Sequence, residues 1–496
     1  MKNAVLIHTD QQRHDSLGCT GNPHAVTPAI DALAEAGTLL SRHVVANCVC
    51  MPSRASLLTG LYPVAHGVWD NGVPLNRRDY VAYDPIRHGE DCVRQAPTIA
   101  DIYRDNGYQT ACFGKMHLTP FHGPAEYGYP ETRARWRENP EEMGAWHGPY
   151  YGFQYADLLV QHGHFPQGHY RPWLKENHPE VFAQLAASRP EGSIPAIPDL
   201  FPAGQPLELH PTMWLAGRFV RYLTETRATD RPFFAFIGFP DPHHPFSPTR
   251  EAIELFGRSD VLDPLDPEGR GLPDYGFAGM GQGIGGLTES QVRMIRRYTL
   301  AMIYQIDLAV GRICDALKDS GLWENTAVLF TSDHGDFLGD HNFLRKGVGA
   351  AHSLLHVPCI LRVPWARLPE RIERATSNTD VLPSLLQQTD IPVPDDIQGT
   401  DLFGPTGEPG AAHAFADNSL GTPESTNYTV YDDRYRYTCY PHVRREELFD
   451  HAADPGESCN LARQTEHANL CRSMRDQVKE HLLHDRVPVV GRVAAW

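Results

Sequence analysis

Ala327-Val328-Leu329-Phe330-Thr331, stopping at Ser332-Asp333-His334-Gly335, is the stretch that decides the fold. A short apolar run without polar alternation reads as a strand buried on both faces. The pattern recurs along the chain. Ala4 to His8 runs into Thr9-Asp10-Gln11-Gln12-Arg13, Tyr108 to Phe113 into Gly114-Lys115, and Phe233 to Phe239 into a Pro-His loop. Cys359 to Val363 is a further run of this kind. Helical patterns lie between them, at Thr27 to Gly37, Ala96 to Asn106, Ser290 to Lys318 and Asp380 to Gln388. Apolar strands alternating with helices predict an α/β fold, a large mixed sheet flanked by helices on both faces.

Open α/β sheets bind ligands beyond the carboxyl ends of their strands. Here those ends carry Asp10-Gln11, Lys115-Met116-His117, His243 in Asp241-Pro242-His243-His244-Pro245, and Asp333-His334 with Lys346 shortly after. Each has a plain alternative as a cap, a turn or a surface loop residue. Taken together, Asp10, Gln11, Asp333 and His334 offer two carboxylates, an amide oxygen and an imidazole to a divalent ion. Lys115 and His117, two residues apart in an extended segment, would point to one side.

Two regions break the alternation. Residues 123–211 are rich in Pro, Gly, His and aromatics with weak periodicity, and read as an insertion able to wall a pocket. Beyond about Gly404 the pattern changes to strands at Asn427 to Tyr431 and Tyr435 to Tyr440, then a helix from Glu466 to Leu483. The expected organisation is a catalytic α/β domain over 1–404 and a small α+β domain over 405–496. That domain would hold antiparallel strands and a late helix. The tail Val487 to Trp496 is apolar enough to dock on its own chain or on a partner, and the oligomeric state stays open.

Composition narrows the function classes. The 496 residues carry 44 basic and 61 acidic side chains, a formal net charge of −17. An acidic chain is poorly suited to nucleic acid, so an anionic substrate would need positive charge gathered locally. No run of about 18 apolar residues exists, so no membrane span is expected. The ten Cys show no framework spacing, and the apolar run at Met1 to His8 is too short for a signal peptide. A reduced, cytoplasmic protein is the expectation.

Cys50-Met51-Pro52-Ser53-Arg54, followed by Leu58-Thr59-Gly60, carries the chemistry. Pro52 suits a first helical turn, and Gly60 with Pro63 ends the helix. Cys50 thus sits among the free N–H donors of a helix start, which favour anions. Arg54 adds a permanently charged fork. The stretch resembles the Cys-x-Pro-Ser-Arg signature of the type I sulfatases of the alkaline phosphatase superfamily. Gly114-Lys115-Met116-His117-Leu118, Pro242-His243-His244-Pro245, Ser332-Asp333-His334-Gly335 and Lys346 resemble further segments of that family, in its order. Glu447-Leu448-Phe449-Asp450, Asp454-Pro455, Glu457 and Asn460-Leu461 resemble its C-terminal signature.

The resemblance implies an alkaline phosphatase-like fold and a sulfuric ester hydrolase. It implies that a formylglycine-generating enzyme oxidises Cys50 to an aldehyde, whose hydrate attacks sulfur and forms a covalent sulfo-enzyme. Asp10, Gln11, Asp333, His334 and the oxidised Cys50 would hold a divalent metal. Arg54, Lys115 and Lys346 would neutralise the transferring group, His243 would protonate the departing alcohol, and His117 would deprotonate the remaining hydroxyl. Ca²⁺ is favoured on family grounds. The imidazole of His334 brings Mn²⁺ close behind.

Asp-Gln and Asp-His pairs also resemble the phosphonate monoester hydrolases and phosphodiesterases of the superfamily. Those enzymes tend to lack the Lys-x-His segment that Lys115 and His117 supply. The intact set of Cys50, Arg54, Lys115, His117, His243 and Lys346 argues against a sulfated-glycan binding protein with a decayed site, and a Cys48-x-Cys50 thiol or metal-storage site leaves the Asp, Lys and His segments unexplained. Specificity is expected from residues 123–211 and from Trp69-Asp70-Asn71. The natural substrate is not written in the sequence.

Overall fold

β1 (Asn3–Thr9) shows why the strands read as unbroken apolar runs. Ala4 and Leu6 face one layer, with Met51, Ala55 and Leu58, while Val5 and Ile7 face the other, with Ile306, Val310 and Ile313. Successive side chains of a strand point to opposite faces, and here both faces are covered. The long helix Glu289–Asp319 supplies much of the second cover and opens on a Thr288–Gln291 capping box. In the computed structural model, residues 1–75, 96–187, 197–257, 261–268, 282–283, 287–347, 349–404, 413–419 and 422–484 are described. The apolar tail Val487 to Trp496 lies outside the described residues.

The other strands of the large sheet are β2 (Thr38–Val44), β3 (Gln109–Gly114), β4 (Tyr155–Val160), β5 (Gln167–Gly168), β6 (Phe233–Gly238), β8 (Thr326–Ser332), β10 (Cys359–Arg362) and β11 (Arg371–Ser377). Their spatial order is β11-β2-β10-β8-β1-β6-β3-β4-β5. β8, β1, β6, β3 and β4 are parallel. β10 runs against both β8 and β2, so β2 points the same way as the parallel block. β11 lies parallel to β2, so the carboxyl ends of seven strands share one edge. The short pair β7 (Gln282–Gly283) and β9 (Phe343–Leu344) lies apart from the sheet. No helix among the described residues is long and apolar enough to cross a membrane.

The stretch 123–211, expected as an insertion, contributes β4 to the sheet as well as helices such as Tyr170–Asn177 and Pro179–Ala187. Its Pro, Gly and aromatic content hid a six-residue strand whose side chains are almost all buried. Beyond residue 413, β12 (Ala414–Asn418), β13 (Asn427–Tyr431), β14 (Tyr435–Tyr440) and β15 (Arg445–Asp450) form an antiparallel sheet covered by the helix Ala468–His484. β13 and β14 match the sequence expectation. β15 was not expected, because Arg445, Glu446 and Glu447 disguise it.

Candidate active site

The chain leaves β2 at the shared edge and enters the helix Cys50–Thr59 at Cys50 itself. Gly60 closes that helix in the left-handed conformation, at φ 66°. Asn71 accepts the Met51 N–H at 3.0 Å, so this residue, expected at a specificity surface, serves a helix start. All ten residues of the helix are buried. The nucleophile candidate is therefore held by packing rather than by a surface loop.

Around Cys50 the strand ends converge. One ligand atom each from Asp10, Cys50, Asp333 and His334 lies within 4.8 Å of the others. Cys50 Sγ is 3.2 Å from His334 Nε2, 3.9 Å from Asp10 Oδ1 and 2.6 Å from Lys346 Nζ. Gln11 adopts φ 67°, a left-handed conformation unusual outside glycine. Its amide nitrogen donates to Asp336 at 2.5 Å, while its Oε1 is buried without a hydrogen-bond partner. Two carboxylates, an imidazole and an orphaned amide oxygen fit a divalent cation. The all-oxygen shell most typical of Ca²⁺ is departed from only at His334.

The cations come next. Arg54 donates to Asp333 Oδ2 at 2.8 Å and to the Lys115 carbonyl at 2.7 Å, and its Nη2 has no hydrogen-bond partner. Lys115 pairs with Asp10. Its backbone N–H reaches the Gly238 carbonyl at 2.8 Å. That closeness requires glycine at 114 and 238, since a Cβ at either would collide with the facing strand. Lys346 Nζ contacts His334 Nε2 at 2.9 Å and His243 Nε2 at 3.4 Å. His243 Nδ1 lies 2.5 Å from the His244 carbonyl, which places the proton on Nδ1 and leaves Nε2 toward Lys346.

Electrostatics separate the two neighbouring thiols. Burial pushes Cys48 up to about 11. Burial and Asp10 push Cys50 upward too, but Lys115, Lys346 and His334 outweigh them and leave its pKa below the usual thiol value. Asp10 lies well below the carboxylate range, because Lys115 and His243 overcome the effect of burial. Burial, with His162 and His244 nearby, holds His243 well below the usual histidine value.

His117 is placed differently from the expectation. Its φ of 52° breaks the extended geometry, so strand alternation does not aim it. It stacks on Phe121 at 3.8 Å, and Lys115 Nζ lies 5.5 Å from the centre of the same ring. Its Nδ1 is buried and unpartnered, and no hydrogen bond joins it to Cys50. Burial, then Lys115 and Arg54, hold it neutral. Sequence reasoning missed His162, which follows β4 and lies 2.6 Å from Lys115 Nζ. Only the recognition of β4 as a sheet strand would have pointed to it. Asp336 and Asp340 serve structure: Asp340 pairs with Arg13 and Arg296.

A strand-edge cluster of a thiol, three cations, and two carboxylates with an imidazole that could hold a metal suits a hydrolase of anionic esters on an alkaline phosphatase-like fold. The family comparison makes the class specific: the sulfatase family matches residues 2–391, and the chain belongs to it. The C-terminal region of N-sulphoglucosamine sulphohydrolase matches residues 339–484. An arylsulfatase of Clostridium perfringens (strain 13 / Type A) is 27% identical over 495 residues, covering 94% of this chain and 91% of that protein. The phosphonate monoester hydrolase structure from Agrobacterium radiobacter superposes with a TM-score of 0.77 at 28% identity, covering 98% and 96% of the two chains. A structure holding its substrate D-glucosamine-2-N,6-O-disulfate has a TM-score of 0.72 at 18% identity, covering 97% of each chain, which speaks for the fold. The protein is a sulfatase-family hydrolase.

Proposed function

We propose that the protein hydrolyses a sulfate monoester, with an aldehyde made from Cys50 as nucleophile. A divalent metal would be held by Asp10, Gln11, Asp333, His334 and the modified side chain at position 50. The observation that carries this reading is the convergence of Lys346, His334 and Asp10 on Cys50 Sγ, with Lys115 and Arg54 beside them. In a chain of net charge −17, three cations are gathered against two carboxylates at one sheet edge. Such a site attracts an anion and stabilises charge on its oxygens.

A divalent ion there supplies further charge neutralisation when bound. The Arg54 Nη2, which makes no hydrogen bond and lies 3.6 Å from Asp10 Oδ2, and the ammonium groups of Lys115 and Lys346 would face the sulfate oxygens. His243 Nε2 gives a proton to the departing alcohol. Its low pKa rises when a sulfate's negative charge lies against it, and Lys346 stands close enough to restore the proton. His117, whose pKa burial, Lys115 and Arg54 hold well below the usual histidine value, would serve as the base for the second hydroxyl at position 50. The aldehyde requires a formylglycine-generating enzyme as maturation partner. The substrate class is a small-molecule or saccharide sulfate ester, and the expected cytoplasmic location remains part of this proposal.

The second reading is a phosphonate monoester or phosphate diester hydrolase, favoured by the likeness to the Agrobacterium enzyme and by Gln11 and His334. Lys115 and His117 weigh against it. The decisive measurement is kcat/KM on the sulfate and the phenylphosphonate ester of one phenol, using protein co-expressed with the generating enzyme. Conversion at Cys50 is verified by peptide mass spectrometry. Faster sulfate cleavage is expected, and faster phosphonate cleavage by fully converted protein would replace this reading with the second.

A further inference from the structure

His162 belongs to none of the motifs that resemble the family, yet it touches two of the groups that the proposed reaction depends on. It is the second residue after β4, and Gln161 between them adopts φ 80°. This left-handed residue turns the chain back toward the shared edge and carries the imidazole over it. His162 Nε2 lies 2.6 Å from Lys115 Nζ and 3.3 Å from Asp10 Oδ2. An ammonium group only donates, so Nε2 accepts and the ring proton sits on Nδ1. The face of the same ring stacks on His243 at 3.7 Å and 9°, and its edge meets Phe121 at 5.9 Å.

We propose that His162 is a positioning residue, holding the Lys115 ammonium with its edge nitrogen and the His243 ring with its face. This rests on the functional reading above. Lys115 ends a flexible four-carbon stem, and a second acceptor beside Asp10 confines where its charge sits. His243 is anchored through Nδ1 to the His244 carbonyl, which fixes its direction but not its tilt. His162 on one side and His244, at 4.1 Å and 25°, on the other form a three-ring stack that fixes the tilt. Small displacements of a general acid or of a charge clamp are costly in rate. His162 thereby ties the group that binds the anion to the group that serves the leaving alcohol.

Two measurements test the assignment. The first is calorimetric binding of inorganic sulfate to the full chain, which reads Lys115 placement without turnover. His162→Ala should weaken sulfate binding on the order of 10-fold, and His162→Gln, whose amide oxygen also accepts, should recover part of the loss. The second is a double-mutant cycle on kcat/KM for an aryl sulfate. The cost of His162→Ala should shrink in the His243→Ala and Lys115→Ala backgrounds. Unchanged sulfate affinity, or an identical cost in all backgrounds, overturns the assignment. If His162→Ala does not fold, His162→Gln and His162→Asn carry both comparisons, with only the Gln variant expected to approach wild type. A wild-type protein that cleaves no sulfate ester sinks the functional reading, while sulfate affinity still decides the role of His162.

Discussion

Two buried polar clusters in this molecule use the same residue types to opposite ends. At the junction with the C-terminal sheet, Arg436 is fully buried and pairs with Glu457 at 2.5 Å and Glu447 at 3.2 Å. Glu457 also takes His451 at 2.9 Å and the backbone N–H of His352 at 3.0 Å. Above them His352, His356 and His14 continue a ring column, with centroids 4.0, 4.4 and 3.8 Å apart from His451 onward. One cation there meets two carboxylates, and the cluster leaves its own Arg436 Nη2, His352 Nδ1 and His14 Nδ1 without hydrogen-bond partners. The edge cluster around Cys50 instead holds three cations against two carboxylates, and the Gln11 Oε1, the Arg54 Nη2 and the His117 Nδ1 make no hydrogen bond. Unpaired nitrogens occur in both clusters, so what sets the edge cluster apart is its excess of cations, which suits an anionic ligand.

The strongest way to break this comparison is at Cys50. Cys50→Ala should lower kcat/KM on the order of 10⁴-fold or more, as loss of a nucleophile does, while Cys48→Ala largely preserves it. An equal loss from the Cys48 variant would move the nucleophile. Melting temperature should change little in Cys50→Ala and fall modestly in Cys48→Ala, because Cys48 packs in the apolar cluster with Ala414, Ala416 and Tyr431 of the C-terminal sheet.

Substitution of Arg436 should show the converse. Arg436→Met leaves Glu447 and Glu457 buried without their guanidinium and should cost about 3–5 kcal/mol of stability. Denaturant unfolding gives that figure, and kcat/KM at a permissive temperature should match wild type. A large activity loss without destabilisation would show that the two clusters are one functional unit.

Leaving-group dependence sharpens the edge cluster. His243→Ala should lose ~10²–10⁴-fold on an alkyl or sugar sulfate, the ordinary range for general acid catalysis, and clearly less on nitrophenyl sulfate. Equal losses across the series would assign His243 to sulfate binding. Chelation should also remove activity and lower the melting temperature, since a bound metal stabilises the folded state. Re-addition then separates Ca²⁺ from Mn²⁺.

The smallest expected effect is a pH slope at the junction. Burial holds His14 down to about 4, and burial with neighbouring histidines holds His352 and His356 well below the usual histidine value. The unfolded chain therefore binds more protons than the folded one below about pH 6.5. The stability these rings contribute is complete above that pH and is lost as the pH falls toward 4. Melting temperature should drop over this window, and His352→Phe should make the drop shallower. A slope unchanged by that substitution would place the acid sensitivity elsewhere.

Much of this was legible in the residues. The strands β1, β6, β8 and β10 were readable because burial on both faces writes an uninterrupted apolar run. The helix at Cys50 was readable from Pro52 and Gly60. β4 was obscured by its Pro- and aromatic-rich surroundings, and β15 by Glu446 and Glu447, whose partners Arg475 and Arg436 are remote or cross-strand. His117 shows the opposite error: its alternation with Lys115 was read as strand geometry, but β3 ends at Gly114 and His117 itself has a left-handed backbone.

By itself, the sequence determined which residue types stand at strand ends and the local order of strand, turn and helix, because these follow from hydrophobic periodicity and short-range capping. It could also set Cys50 apart from Cys48 by its neighbours in the chain. Only the tertiary structure decided that Asp10, Cys50, Asp333 and His334 share one small volume, that Lys115 answers Asp10, and that His162 joins them. These contacts span from about forty to more than three hundred positions, as in Asp10 with Cys50 and Gln11 with Asp333. They exist because parallel strands paired by non-local hydrogen bonds bring their carboxyl ends to one edge, and no local pattern encodes that pairing.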